Sequence, residues 1–139
     1  MSLFNILDIA STGMSAENIR LNTIASNVAN ANTVSSSIDE TYRARHAVFA
    51  TELQHETARQ SGAGVKVLGI VESNKPLQIE YSPGHPSADE NGYIYRPNIN
   101  VVESIADLTS ASKSYETNVQ VADTTKRIFR RVLQLGQGR

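Results

Sequence analysis

The sequence of 139 residues contains no cysteine and no tryptophan. The first absence excludes disulfides, thiol nucleophiles and Cys-bearing zinc sites, and it suits a chain that must work regardless of redox compartment. The second, with aromatics at only 6% of residues, removes the large rings that dominate cores and small-molecule pockets. A deep ligand pocket is therefore disfavoured. The formal net charge is -1, so the chain as a whole offers no electrostatic footprint for nucleic acid or an anionic membrane. No run approaches the roughly 18 to 20 apolar residues needed to span a bilayer. The opening MSLFNILDIA lacks the basic region, the long apolar stretch and the small-residue site of a cleaved secretory signal.

Proline and glycine are scarce except in the middle. Residues 1–61 hold no proline and one glycine, Gly13, whereas residues 62–97 hold all four prolines and five of the eight glycines. Residues 98–135 again hold neither. This punctuation predicts a mainly α chain: a long helix, a short central antiparallel β segment and a second long helix. The expected divisions are an N-terminal helical unit at 1–34, a linker or arm at 35–61, a small β domain at 62–97 and a C-terminal helical unit at 98–139.

Within the first unit, Leu3, Leu7, Ala10, Met14, Glu17, Leu21, Ile24 and Val28 recur at alternating steps of four and three. That is the spacing of a coiled-coil seam. With Ser2 as N-cap the helix should run from about Leu3 to about Asn30. In the last unit Val101, Ile105, Leu108, Ser112, Tyr115, Val119, Ala122, Lys126, Phe129 and Leu133 repeat the period. Asn100 stands as N-cap with Glu103 three residues on, and Gly136 stands where a C′ residue belongs. Two seams of one period at opposite ends of a chain predict that the terminal helices pair as a coiled coil. Between them, residues 65–71 are β-branched and apolar, Leu77, Ile79 and Tyr81 alternate with polar residues, and residues 93–95 can return after the turn-rich stretch 82–92. These read as one small antiparallel sheet. Residues 38–61 fit either a helix or an extended arm, since Phe49 and Leu53 suit both.

Residues 1–34 carry just three charges, Asp8, Glu17 and Arg20, while 16 of the first 38 residues are Ser, Thr or Asn. A solvated helix face normally carries Lys and Glu. An uncharged face of amides, hydroxyls and alanine suits protein neighbours on several sides, where a desolvated charge is costly. The termini are therefore expected to be mobile in a free monomer and to order on assembly. The polar seam residues Glu17 and Lys126 are either partly exposed or set register and partner choice.

Catalytic signatures are missing. His46, His55 and His85 form no HExxH and no metal-ligand spacing, and read as surface or packing histidines. Asp39-Glu40 and Asp89-Glu90 read as solvated pairs in turns. Gly62-Ala63-Gly64 precedes a strand, whereas a dinucleotide fingerprint follows one, and reads as a turn. The basic residues Lys126, Arg127, Arg130, Arg131 and Arg139 could touch nucleic acid or lipid, but complementing the helix dipole is the better account. No cofactor, metal, nucleic acid or small-molecule substrate is expected. The remaining rivals are a free-standing coiled-coil adaptor and, more remotely, a small enzyme.

Gly13-Met14-Ser15-Ala16, Leu21, and then Ile24-Ala25-Ser26-Asn27-Val28-Ala29-Asn30-Ala31-Asn32-Thr33 resemble the N-terminal signature of flagellar rod and hook proteins. The wide spacing to Tyr42-Arg43-Ala44-Arg45 and Phe49 is similar to a short proximal-rod branch. Further matches to that branch are Gly64-Val65-Lys66-Val67, Tyr81 with Pro83-Gly84, Asp89 with Gly92-Tyr93, Pro97-Asn98, and residues 100–102, 110–119 and 133–137. The resemblance implies a structural subunit, not an enzyme, exported by the flagellar type III apparatus without a cleaved signal. It implies helical assembly in the periplasmic span of the basal body, in a drive shaft that passes motor torque to the hook. The implied neighbours are other copies, the rod proteins FlgB, FlgF and FlgG, and the junction protein FliE. The residues expected at assembly interfaces are Leu3, Leu7, Ala10, Met14, Leu21, Ile24, Asn27, Val28, Asn30, Asn32, Tyr42, Val101, Ile105, Leu108, Tyr115, Val119, Phe129 and Leu133.

Overall fold

A computed structural model describes residues 3–53, 63–136 and 138. The expected N-cap Ser2, His55 and the turn glycine Gly62 lie outside the described residues, as do Gln137 and Arg139. In chain order the elements are helix α1 (Leu3–Asn30), strands β1 (Arg45–Leu53), β2 (Ala63–Glu72), β3 (Gln78–Tyr81) and β4 (Tyr93–Arg96), and helix α2 (Val101–Gly136). The fold is mainly helical with a small β region. At 1.5 Å per residue the helices are about 42 Å and 54 Å long.

The two helices pair antiparallel. Phe4 stacks edge-on against Phe129 with centroids 5.4 Å apart, Gly13 lies against the Asn118 side chain, and Arg20 reaches Asp107 at 3.8 Å. Small residues make the close approach possible. Ala10 and Ala16 on α1 and Ala111 and Ala122 on α2 are buried, Ala111 completely. A Cβ at Gly13 would sit 2.8 Å from Asn118 Nδ2, so Gly13 is a point of near contact. Buried threonines cost little here, because Thr23 donates to the Ile19 carbonyl and Thr125 to the Val121 carbonyl, each at 2.8 Å.

The buried stripe of α2 is offset from the expected seam. Ala111 and Thr125 are buried, with Asn118 half-buried between them, while Lys126 is exposed. The seam therefore runs Leu108, Ala111, Tyr115, Asn118, Ala122, Thr125, Phe129, keeping the four-three period but using the smaller residue of each adjacent pair where the backbones come close. Asn100 caps α2 as expected, accepting from the N–H groups of Val102 and Glu103 at 3.0 and 3.3 Å. The helix continues through Gly136, and the left-handed residue is Gly138, with φ of 68°.

Two separate ribbons replace the single expected sheet. β1 and β2 pair antiparallel from Arg45↔Glu72 to Leu53↔Ala63, and β3 and β4 from Gln78↔Arg96 to Tyr81↔Tyr93. Residues 45–53, which suited helix or arm equally, are thus a strand. Ala63 and Gly64 open β2 rather than forming a turn. Val48 pairs with Gly69 but Phe49 with Val67, which leaves Leu68 as an extra residue and gives the ribbon a local bulge. The second ribbon sits on a small core of its own: Ile94 is 1% exposed, and Pro97, Ile99 and Ala44 are buried with it. Ser35 bridges to Tyr95 through both main-chain hydrogen bonds, fixing the connection between α1 and this core. Gly92, with φ of 82°, closes the turn ahead of β4, where a Cβ would meet Tyr81 and Pro83 at 3.0 Å.

Candidate assembly interface

The described residues contain no cluster of His, Asp and Glu able to hold a metal ion. No described helix is long and apolar enough to cross a membrane. What the chain builds instead is a helix pair with a ribbon fastened along one of its sides, and the fastening is the most specific geometry present.

Asn27 sits in the last turns of α1 and is buried. Its Nδ2 donates to the Arg45 carbonyl at 2.7 Å, and its Oδ1 accepts from the Arg45 N–H at 2.9 Å and from the Tyr42 hydroxyl at 3.0 Å. The amide thus occupies both main-chain groups of one residue, as a neighbouring strand would. Burial pushes the Tyr42 phenol up, opposed by the positive Arg45 guanidinium and reinforced by Glu72. Arg45 lies over the Tyr42 ring at 5.2 Å and pairs with Glu72 across the ribbon at 3.1 Å. At the far end of the ribbon, the Val65 N–H donates to Thr12 Oγ1 at 3.2 Å, and that hydroxyl lies 3.1 Å from where a Gly64 Cβ would be. The ribbon therefore runs back along α1, held at both ends.

A second amide does similar work behind it. Asn98 Oδ1 accepts from the Ala44 N–H at 2.8 Å, and Nδ2 donates to the Lys75 carbonyl at 2.8 Å. The Ser73 N–H donates to the Ala44 carbonyl at 2.7 Å. This knot turns the chain away after β2 and so keeps the two ribbons apart. Asp89 organises the second ribbon: Oδ1 accepts from the N–H groups of Tyr93 and Asn91 at 2.8 and 2.9 Å, and Oδ2 from the Tyr95 hydroxyl at 3.2 Å. The Tyr93 N–H, helped by those of Asn91 and Gly92 and by Tyr95, holds the Asp89 carboxyl below its ordinary range. Burial and the Asp89 charge push the Tyr95 phenol up.

Of the interface residues expected from sequence, Ala10, Ile24 and Asn27 are buried within this one chain. Leu3, Leu7, Met14, Leu21, Val28, Asn30, Tyr42, Leu108, Tyr115, Val119 and Phe129 are half-buried, and Asn32 is exposed. Val101, Ile105 and Leu133 are exposed. Leu3, Phe4, Leu7 and Phe129, rimmed by Lys126 and Arg130, line a cavity of about 270 Å³ where α1 begins. Glu17 lies 3.6 Å from Arg20, which also reaches Asp107 on α2, so the polar seam residue belongs to an interhelical charge cluster. Sequence reasoning missed the roles of Thr12, Asn98 and Asp89. Only Asn98 and Asp89 carried a signal, as members of the matched motifs.

Comparison with known proteins finds relatives over nearly the whole chain. Residues 7–34 match the family described as flagella basal body rod protein, and residues 90–135 match the C-terminal family of flagellar basal body rod FlgEFG proteins. The chain is 42% identical to the flagellar basal-body rod protein FlgC of Salmonella typhimurium, over 99% of its own length and 100% of that relative. The FlgC protein of Escherichia coli O157:H7 gives the same identity and coverage. That of Borreliella burgdorferi is 34% identical, again over 99% of this chain and 100% of the relative.

Proposed function

The chain belongs to the FlgC family of flagellar basal-body rod proteins, and on that premise we propose how its helix pair serves as a drive-shaft element. It is a structural subunit of the rod and not an enzyme. In our reading it is exported through the flagellar type III apparatus without a cleaved signal and assembles helically in the periplasmic span. Its neighbours there are further copies, FlgB, FlgF, FlgG and the junction protein FliE. The units 1–34 and 98–139 form the packed wall of the rod, and 35–61 and 62–97, whose strands β1 and β2 pair as one ribbon, face outward together.

The observation that carries this reading is the family match over nearly the whole chain. It is supported by an α1 surface of small and hydroxylated residues suited to close packing. Aligned, close-packed helices resist twist because such interfaces deform little, which is what transmission of torque requires. The half-buried seam residues and the exposed Val101, Ile105 and Leu133 are the positions left for neighbouring subunits to cover.

The test is to delete the gene in a flagellated host, image isolated basal bodies by electron microscopy and complement with this chain. Rod assembly and motility should return with the intact chain and fail with a version lacking residues 1–30. Normal flagella in the deletion strain would refute the rod reading and favour a discrete coiled-coil adaptor. Amide exchange offers a second check, since residues 3–30 should be better protected in assembled rods than in the dilute monomer.

A further inference from the structure

Asn91 is the one asparagine in the sequence followed by glycine. It lies exposed in the turn between β3 and β4, and Gly92 after it is buried. The side-chain carbonyl carbon of an asparagine is an electrophile that the next residue's main-chain nitrogen can reach by closing a five-membered ring. Most residues obstruct that closure with their own side chain. Glycine, having no Cβ, leaves the approach open and lets the backbone turn into it. Asn74, also exposed, is followed by Lys75 and has no such freedom beside it.

In the folded chain one residue occupies every main-chain donor around this bond. Asp89 accepts from the Asn91 and Tyr93 N–H groups through Oδ1, at 2.9 and 2.8 Å, and from the Gly92 N–H through its own carbonyl at 3.0 Å. The Asp89 N–H returns a bond to the Tyr93 carbonyl at 2.9 Å, and the Tyr95 hydroxyl secures Oδ2 at 3.2 Å. The nitrogen that would attack is thus an engaged donor, at a position that Tyr81 and Pro83 crowd. Ring closure has to wait until the turn opens.

We propose that Asn91 is a self-modification site, converting to aspartate and isoaspartate, and that Asp89 guards it by holding the Gly92 nitrogen out of reaction. The Gly92 nitrogen loses its proton and bonds to Asn91 Cγ, and the side-chain nitrogen leaves as ammonia. Water then opens the ring at either carbonyl. Opening at Cγ gives aspartate on an unchanged main chain, and opening at the main-chain carbonyl gives isoaspartate, whose main chain runs through Cγ. No oxidant or reductant takes part. Either product adds a negative charge beside Asp89 and Glu90. Isoaspartate also lengthens the backbone by one methylene inside the span that Asp89 grips, so the three bonds cannot all re-form. The change is irreversible and confined to the second ribbon. It goes beyond the rod reading and does not depend on it.

The test incubates the full-length chain, its variants Asp89→Ala and Tyr95→Phe, and a peptide of residues 87–96 in one neutral buffer. Isoaspartate is measured by enzymatic methyl transfer and located by mass spectrometry, with Asn74 as internal control. The full chain should convert at residue 91 about tenfold or more slowly than the peptide, the protection expected of several hydrogen bonds that must open together. Asp89→Ala should bring the rate to within about threefold of the peptide, because the side-chain bonds to residues 91 and 93 are gone. Tyr95→Phe, which removes a single bond to Asp89 and leaves the fold intact, should raise the rate about twofold to fivefold. Conversion at Asn74 should stay slow in all of them. A full chain converting as fast as the peptide, or rates unchanged in both variants, would overturn the guard. Absence of isoaspartate at residue 91 in Asp89→Ala, with the amides of residues 91–93 exchanging freely, would overturn the site itself.

Discussion

Helices α1 and α2 share one apolar period yet live in different surroundings. α1 packs against α2 on one side and against the β1–β2 ribbon on another, and it carries only Asp8, Glu17 and Arg20. α2 packs against α1, and none of its side chains reaches the ribbons through the hydrogen bonds and ion pairs described above. It carries nine charged residues. The scarcity of charge on α1 thus has a partial cause inside the chain, because one of the neighbours expected from its composition is its own ribbon. Charge on a helix records how many of its faces are covered, and covered faces need not belong to other subunits.

The contrast breaks most sharply at Asn27. Asn27→Ala removes three hydrogen bonds and leaves the Arg45 main chain and the Tyr42 hydroxyl unpaired, so stability should fall by about 2–4 kcal/mol. Urea unfolding measures the loss. Amide exchange should rise across residues 45–53 and 63–72 while α2 stays unchanged, making α1 a one-sided helix like its partner. Ala111→Leu should cost about 1–3 kcal/mol, because no space is free at a fully buried position where the helices meet closely. Calorimetry should show the loss, with the β3–β4 turn unaffected. Asn100→Ala, which uncaps only α2, should cost about 1 kcal/mol and raise exchange in the first turn of α2 but not in α1.

The smallest expected effect leaves both helices alone. The folded Asp89 carboxyl lies below its ordinary value of 3.8, so its contribution to the β3–β4 turn is fully present above that value. It is lost as pH falls through the lower folded value. Tyr93 and Tyr95 amide resonances should shift on acidification below the ordinary value, and Asp89→Asn should abolish that response. A helix signal whose movement on acidification disappeared in Asp89→Asn would contradict the separation of the second ribbon from the helix pair.

Helix spans were legible because each rests on local facts: periodicity, the Asn100 cap and the clustering of glycine and proline between the helices. The phase of the α2 seam was not. A reading that favours larger apolar residues selects Val119 over Asn118 and ranks Ser112 with Ala111, whereas the backbone separation at Gly13 selects the smaller member of each pair. β1 was undecidable because Phe49 and Leu53 suit either conformation. Its strand form depends on β2 and on Asn27, both distant in sequence. The separation of the ribbons depends on Asn98, whose three partners lie more than twenty residues away. Among the expected interface residues, the motif around Asn27 marked an important position without disclosing that its first partner is the chain itself.

The Asn27 joint grips only main-chain atoms of residue 45, apart from the Tyr42 hydroxyl, and so it cannot sense which side chain residue 45 bears. A ribbon of different sequence could be grafted onto the same socket, provided its strand presents an N–H and a carbonyl there. Asparagine itself has no substitute, since aspartate lacks the donor and glutamine is one methylene too long. The socket is rigid in chemistry and indifferent to cargo, so the ribbon's sequence can change while its attachment to α1 is kept.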